Sequence, residues 1–335
     1  MNKVVYATNL DDSEKVVPNK INWPLLGGIR FFLAFIVLTE HLGWFVTNDP
    51  MLKIAKFSPL VAVLGFLVIS GFSIAASFEA DKQGFYFRRG LRIIPIYVLC
   101  ILFSEFVTLF INDNVNLNSM GEGRVDLPLL IGNLFFLQGF FIQSLESNPI
   151  VWTLSIEVFF YILTPYIKAK NKWVLFLIIL SAILFVTQRY LGFIYYSQML
   201  YGGGVIFLGW AWLVGYWYYH HREYSGAIYF LISLGVLSVT INGYFIKDFW
   251  TVTWVITCTA VGYGHHLNLP FPWVLKTMGD VSYPMYLLHF PVFKLISDFS
   301  IPQNGFYYLA IIITGSFFVD RLFDRPIKNY FRRNI

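Results

Sequence analysis

Charge is scarce in this chain. Of its 335 residues only 13% are Asp, Glu, Lys or Arg, while 57% are hydrophobic and 20% aromatic. Soluble globular domains carry about 25% charged residues, so a soluble enzyme is excluded, and no nucleic-acid partner is expected. Cysteine is nearly absent: Cys100 and Cys258 are the two, each inside an apolar run. They leave no disulfide framework and no thiolate metal site, and no metal is expected. The N-terminal stretch is polar and mixed in charge, without an apolar core or a small-residue cleavage site, so it reads as a tail rather than a signal peptide. Neither an internal repeat, a low-complexity tract nor a linker long enough to separate a second domain is visible.

What fills the sequence instead is apolar runs. Crossing the hydrocarbon core takes about 20 mostly apolar residues, and such stretches recur over 23–45, 59–79, 92–112, 150–167, 173–191, 202–219, 228–246, 249–267, 281–299 and 304–321. The expected fold is an all-α membrane bundle of about ten transmembrane helices. The stretch "DLPLLIGNLFFLQGFF", 126–141, is apolar but broken by Pro128, Gly132 and Gly139. It is read as re-entrant or surface-lying, with an eleventh span as the open alternative. Taken so, and with both termini in the cytoplasm, the inner loops and tails collect seventeen of the 24 Lys and Arg and the outer loops five, with Arg30 and Lys294 inside spans. That asymmetry is the positive-inside pattern.

Ionisable side chains inside a span usually face the bundle interior and are candidates for function. The interior candidates are Arg30, Glu40, His41, Glu105, Glu157 and His289. In "GGIRFFLAFIVLTEHLGWF", Arg30 and His41 stand eleven residues apart. That is close to three helical turns, so both lie on one face about 16 Å apart along the axis. Glu40 points about 100° away from His41. Glu157 in "NPIVWTLSIEVFFYILTP" shares a face with Thr153 and Tyr161 at spacings of four and lies at a depth comparable with His41. An imidazole supported by a carboxylate suits a general base for a hydroxyl nucleophile. Glu157 could equally pair with Arg30 as a purely structural contact.

"FYFRRGLRIIPIY" places Arg88, Arg89 and Arg92 at spacings of three and four, able to form one cationic patch at the inner end of the third span. It suits either anchoring to anionic lipid or a seat for a phosphorylated molecule. No glycine-rich P-loop accompanies it.

Together these stretches resemble acyltransferase family 3, integral membrane O-acyltransferases that modify bacterial surface glycans and other acceptors. The arginine, ten residues and histidine of that family's first span match Arg30 and His41. "GFLVISGFSI" resembles its second-span motif, "FRRGLRIIPIY" its arginine-rich loop, "NLFFLQGFF" followed by "WTLSIEVFFYILTP" its next signature, "SYPMYLLHFPV" its late helix and "DRPIKNYFRR" its usual end. The matches run in family order from 27 to 333. Gly27 and Val158 depart from the pattern, standing where the family often has acidic residues, and no role is carried over to them. The extra span and SGNH domain of some relatives are not expected here.

The resemblance implies an acyltransferase domain over 23–325 between cytoplasmic tails 1–22 and 326–335, in the bacterial cytoplasmic membrane. Beyond the lipid bilayer, its partners would be acetyl-CoA, or another short acyl-CoA, as donor and a lipid-linked or polymeric glycan hydroxyl as acceptor. No cofactor is permanently bound. CoA phosphates would dock on Arg88, Arg89 and Arg92, with Arg30 deeper. His41, supported by Glu157 or Glu40, would deprotonate the acceptor. Ser70, Trp152, Ser155, Tyr161 and His289 are expected on the acceptor side or in support. An acyl-enzyme route through Ser70 or Ser155 is placed lower, since neither serine has an obvious adjacent base in the sequence. The competing reading is a transporter or flippase, whose inverted repeat with broken helices is not seen.

Overall fold

The structure is a computed structural model, described here over residues 21–110, 126–188, 196–242, 249–299 and 304–333. Among these residues there is no β-strand, only one isolated bridge, Gln138 to Ile142. Twelve α-helices follow one another: α1 (Trp23–Leu42), α2 (Pro59–Ala80), α3 (Phe85–Phe110), α4 (Leu127–Leu134), α5 (Trp152–Leu163), α6 (Lys172–Thr187), α7 (Gly203–His221), α8 (Ser225–Asn242), α9 (Trp250–Tyr263), α10 (Pro272–Asp298), α11 (Gly305–Val319) and α12 (Arg325–Arg333). Among the described residues each of the ten apolar runs holds a helix. Six helical segments, 23–42, 59–80, 85–110, 149–166, 225–242 and 305–331, are long and apolar enough to cross a membrane. Of the other four, α6 and α9 are shorter, with 16 and 14 residues. In α7 and α10 the tyrosines, histidines and, in α10, prolines lower the mean hydropathy.

The stretch 126–141 holds a helix of 8 residues, roughly 12 Å long and too short to span. It folds back through positive-φ turns at Phe136 and Gly139. There Gln138 Nε2 donates to the Tyr97 hydroxyl at 2.9 Å and to the Val151 carbonyl at 3.0 Å. The arginine-rich segment is no loop either: α3 begins at Phe85, so all three arginines lie in its first turns.

The packing is built on small residues, which let helix backbones approach where lipid supplies no hydrophobic drive. The most extensive contacts join α1 to α10 and α2 to α7. A Cβ on Gly279 of α10 would lie 2.6 Å from the Gly27 Cα of α1, and one on Gly71 of α2 would lie 2.0 Å from the Trp212 carbonyl oxygen of α7. With Gly27 on Gly279 at one end and His41 on His289 further along, α1 and α10 run parallel. The end of the bundle at which both begin is called the near end below, and the other the far end.

Helix α10 carries Pro284 and Pro291. Proline has no N–H, so Pro291 leaves the Leu287 carbonyl without its intrahelical donor. Asn148 Nδ2 and the Cys100 thiol both donate to it at 3.0 Å, and Asn148 also reaches Ser104 Oγ at 3.1 Å. Replacing Asn148 with leucine should therefore cost about 1 to 3 kcal/mol, the usual penalty for stranding a buried polar group. Thermal unfolding of the detergent-purified variant measures it; an unchanged midpoint would mean that Cys100 alone suffices.

At the near end, Arg325 bridges Asp320 (2.7 Å) and Asp280 (2.8 Å), tying α12 back to the start of α10. The residues 326–333, expected as part of a tail, are helical in α12.

Candidate functional site

Five helices, α1, α2, α3, α5 and α10, surround a cavity of about 710 Å³, counted with its open mouth. Its polar lining includes Arg30, Ser70, Arg92, Thr153, Glu157 and Tyr286, and its apolar walls include Val63, Phe66, Leu67, Ile93 and Leu154. Two of the lining side chains are cations, Arg30 and Arg92, against the single carboxylate of Glu157. An anion is thereby favoured. Arg30 is fixed by α2, its guanidinium donating to Ser73 Oγ at 2.7 Å.

Glu157 is held on two sides. Ser70 Oγ donates to its Oε1 at 2.8 Å, and the Tyr161 hydroxyl donates to the same oxygen. The Tyr161 bond follows from the helical spacing of four, which stacks the two residues on one face. The Ser70 bond comes from another helix and removes the ground for placing that serine low: it does have an adjacent carboxylate. Ser155 differs. Its Oγ returns to the Trp152 carbonyl at 2.8 Å, and it lines a separate pocket of about 220 Å³ with Trp152 and Tyr196, whose rings stack at 5.7 Å.

Of the three arginines of α3, Arg89 and Arg92 remain within electrostatic reach of each other and of Glu157. Arg88 turns back to the α2–α3 connection, pairing with Asp81 and donating to the Ser77 carbonyl at 3.1 Å. Arg89 donates to Ser77 Oγ at 2.7 Å. Only Arg92 of the three lines the cavity. In the connection itself, the Gly84 N–H and then the Arg88 guanidinium hold the Asp81 carboxyl below the usual carboxylate range. This link is therefore present at neutral pH and is lost only as pH falls through that lowered value.

His41 lies in the last turn of α1, beyond the far end of the cavity lining. Its Nδ1 is 3.0 Å from Nε2 of His289 on α10, and the two rings are 5.1 Å apart. His289 is fully buried, with Nδ1 2.7 Å from the Tyr286 carbonyl. The edges of Trp44 and Phe290 close on His41 at ring distances of 5.7 and 6.0 Å. Tyr286 belongs to both groups. Its hydroxyl lies 3.1 Å from Thr153 Oγ1 at the cavity wall, while its carbonyl meets His289.

The carboxylates expected beside His41 are elsewhere. Glu157 is taken by Ser70 and Tyr161, and Glu40 is exposed. The partner is an imidazole 248 positions away in the chain. Tyr286, Thr153 as its hydroxyl partner and Ser73 as the anchor of Arg30 were not singled out from the sequence. Serines and tyrosines in apolar helices give no signal of which neighbour they meet. Among the described residues no three His, Cys, Asp or Glu side chains are grouped to hold a metal ion.

Five helices thus converge on an arginine-lined cavity beneath a histidine pair. A family model described as an acyltransferase domain matches residues 24–319. The chain belongs to this family, acyltransferase family 3. It is similar to Nodulation protein 10 of Rhizobium leguminosarum bv. viciae, with 24% identity over 164 residues, covering 43% of this chain and 44% of that protein. The match thus spans less than half of the relative's length. No solved structure matches.

Proposed function

We propose that the protein is a membrane O-acyltransferase that moves an acyl group, acetyl foremost, from acyl-CoA to a hydroxyl of a cell-surface polysaccharide or its lipid-linked precursor. The observation that carries this reading is the cavity itself. Its lining holds an excess of positive charge, and Tyr286 in its wall touches the histidine pair directly.

In this reading the near end faces the cytoplasm of a bacterial cell, in line with the excess of Lys and Arg in the loops there. CoA phosphates dock at the near end beside Arg89 and Arg92, Arg30 stands deeper along the path of the pantetheine arm, and the thioester stands toward Thr153 and Tyr286. The acceptor hydroxyl approaches from the far end, past the exposed Trp44. His41 takes the hydroxyl proton as the oxygen attacks the thioester carbonyl. The Tyr286 hydroxyl, turning from Thr153, is the donor offered to the oxyanion. When the intermediate collapses, the C–S bond breaks and the CoA thiolate leaves with the proton from the histidinium.

Mass spectrometry of the host's surface polysaccharide with and without the gene, followed by reconstitution with acetyl-CoA, tests the reading. Unchanged acyl content in both would remove it. Proton-coupled glycan uptake by vesicles without acyl-CoA would favour a transporter instead.

The separation of Arg88 from the other two arginines gives a sharper expectation. Arg92→Gln should raise KM for acetyl-CoA about tenfold, consistent with the roughly 1.5 to 3 kcal/mol of a hydrogen bond to a charged group. Arg88→Gln should change it less than about threefold, because the Arg88 charge is already met by Asp81 in an exposed pair, where ion pairing is weak. Equal effects would show that Arg88 leaves Asp81 to bind the donor.

A further inference from the structure

Among the described residues, no carboxylate is paired with either ring of the histidine pair. The side chains packed on them are Trp44 and Phe290 at His41, and Tyr286 and Phe293 at His289. A buried imidazolium without a counter-charge is costly, so both rings rest neutral. A neutral imidazole has one N–H and one lone pair, and the hydrogen bond at one nitrogen decides which is left at the other.

The chain of bonds can be followed from its one unambiguous member. The Tyr286 carbonyl only accepts, so the nitrogen 2.7 Å from it, Nδ1 of His289, carries the proton. Nε2 of His289 is then a lone pair and can only accept. Nδ1 of His41, 3.0 Å away, must donate to it. The lone pair of His41 is thereby left on Nε2.

We infer that His289 is a positioning residue, one that keeps the proton of His41 on Nδ1 and so presents Nε2 as the base. The role given elsewhere to an aspartate beside a catalytic histidine is here filled by a second imidazole oriented by a backbone carbonyl. The difference is chemical as well as geometric. A neutral acceptor fixes the tautomer without adding a negative charge, which would be expensive to bury. It also offers less stabilisation to the imidazolium formed during transfer. The carbonyl available for this task comes from the residue whose side chain lines the donor cavity, so the orientation of the base and the shape of the cavity depend on one turn of α10.

This inference rests on His41 acting as the base, and the test separates the two. The full-length protein with ¹⁵N-labelled histidine is reconstituted in liposomes, and the His41 ring resonances are assigned by difference from His41→Ala. Transfer is assayed in parallel, with radiolabelled acetyl-CoA and a glycolipid extract of host membranes. The wild type should show a protonated Nδ1 and a bare Nε2. In His289→Gln the amide oxygen can take over as acceptor, so the tautomer should persist and kcat stay within about threefold. His289→Leu is similar in bulk but accepts nothing. There, among the described residues, only the Val37 carbonyl one turn back remains within reach of the His41 ring, so the proton should redistribute between the two nitrogens, and kcat should fall about 100-fold, the lower range of a general-base contribution, with KM for acetyl-CoA unchanged. A wild-type His41 protonated on Nε2, or a leucine variant with full kcat, would overturn the positioning role. Undiminished transfer by His41→Ala would instead overturn the base, whatever the tautomer.

Discussion

Replacing His41 with alanine should lower acyl transfer by about 10²- to 10⁴-fold, the range that a positioned general base contributes, while leaving the protein in the membrane. The ring is at the end of α1, where its loss opens space next to the exposed Trp44 rather than in the packed centre. The one partner stranded is Nε2 of His289, an acceptor whose burial without a donor costs about 1 to 3 kcal/mol. Thermal unfolding should therefore shift modestly while transfer collapses. Incorporation of label from acetyl-CoA reads the first effect, and membrane yield with unfolding midpoint reads the second. A variant that transfers at the wild-type rate would move the base elsewhere, and the Ser70–Glu157 pair would become the next group to examine.

The second large effect should come from Gly71→Leu. A Cβ there would stand 2.0 Å from the Trp212 carbonyl oxygen, and across the same crossing a Cβ on Gly215 would stand 2.2 Å from that of Val68. Neither obstacle is the tip of a flexible side chain. The two backbones would have to part, and α2 also carries Ser70 and Ser73, which hold Glu157 and Arg30. The expected loss exceeds about 4 kcal/mol, the tail of the distribution for single substitutions, seen as failure to accumulate as a monodisperse species in detergent. Gly315 of α11 provides the control. A Cβ there meets nothing within 4 Å, and Gly315→Ala should be neutral or stabilising by about 0.5 to 1 kcal/mol. Similar behaviour of the two variants would mean that the α2–α7 crossing is not as close as described.

The helical runs were legible because apolar length is a strong signal, and Arg30 with His41 because spacing along one helix fixes a shared face. Glu157 with Tyr161 follows from the same rule. Contacts between helices were not. Helix α2 is apolar almost all round, so no periodicity says that Ser70 turns to α5 and Ser73 to α1. The meeting of His41 with His289 also has no local signature. It becomes intelligible once Gly27 and Gly279 are known to touch. Counting 1.5 Å per residue from that crossing places His41 about 21 Å and His289 about 15 Å along their parallel helices, within little more than one turn of each other. The departure at Gly27 from the family's acidic residue has a steric reading in the same contact. Arg88 departs from the arginine patch because spacing puts side chains on a face without saying that a nearby carboxylate, here Asp81, captures one of them.

The break in α10 at Pro291 acts against its usual effect. An isolated helix with an unpaired carbonyl bends easily there, yet Leu287 is clasped by Asn148 and Cys100. Asn148 stands five residues before Thr153, and Leu287 lies between Tyr286 and His289. The vacancy left by one missing proton therefore becomes a latch: it locks the start of α5 to the middle of α10 and keeps in register the two walls between which a hydroxyl, a thioester and an imidazole would have to meet.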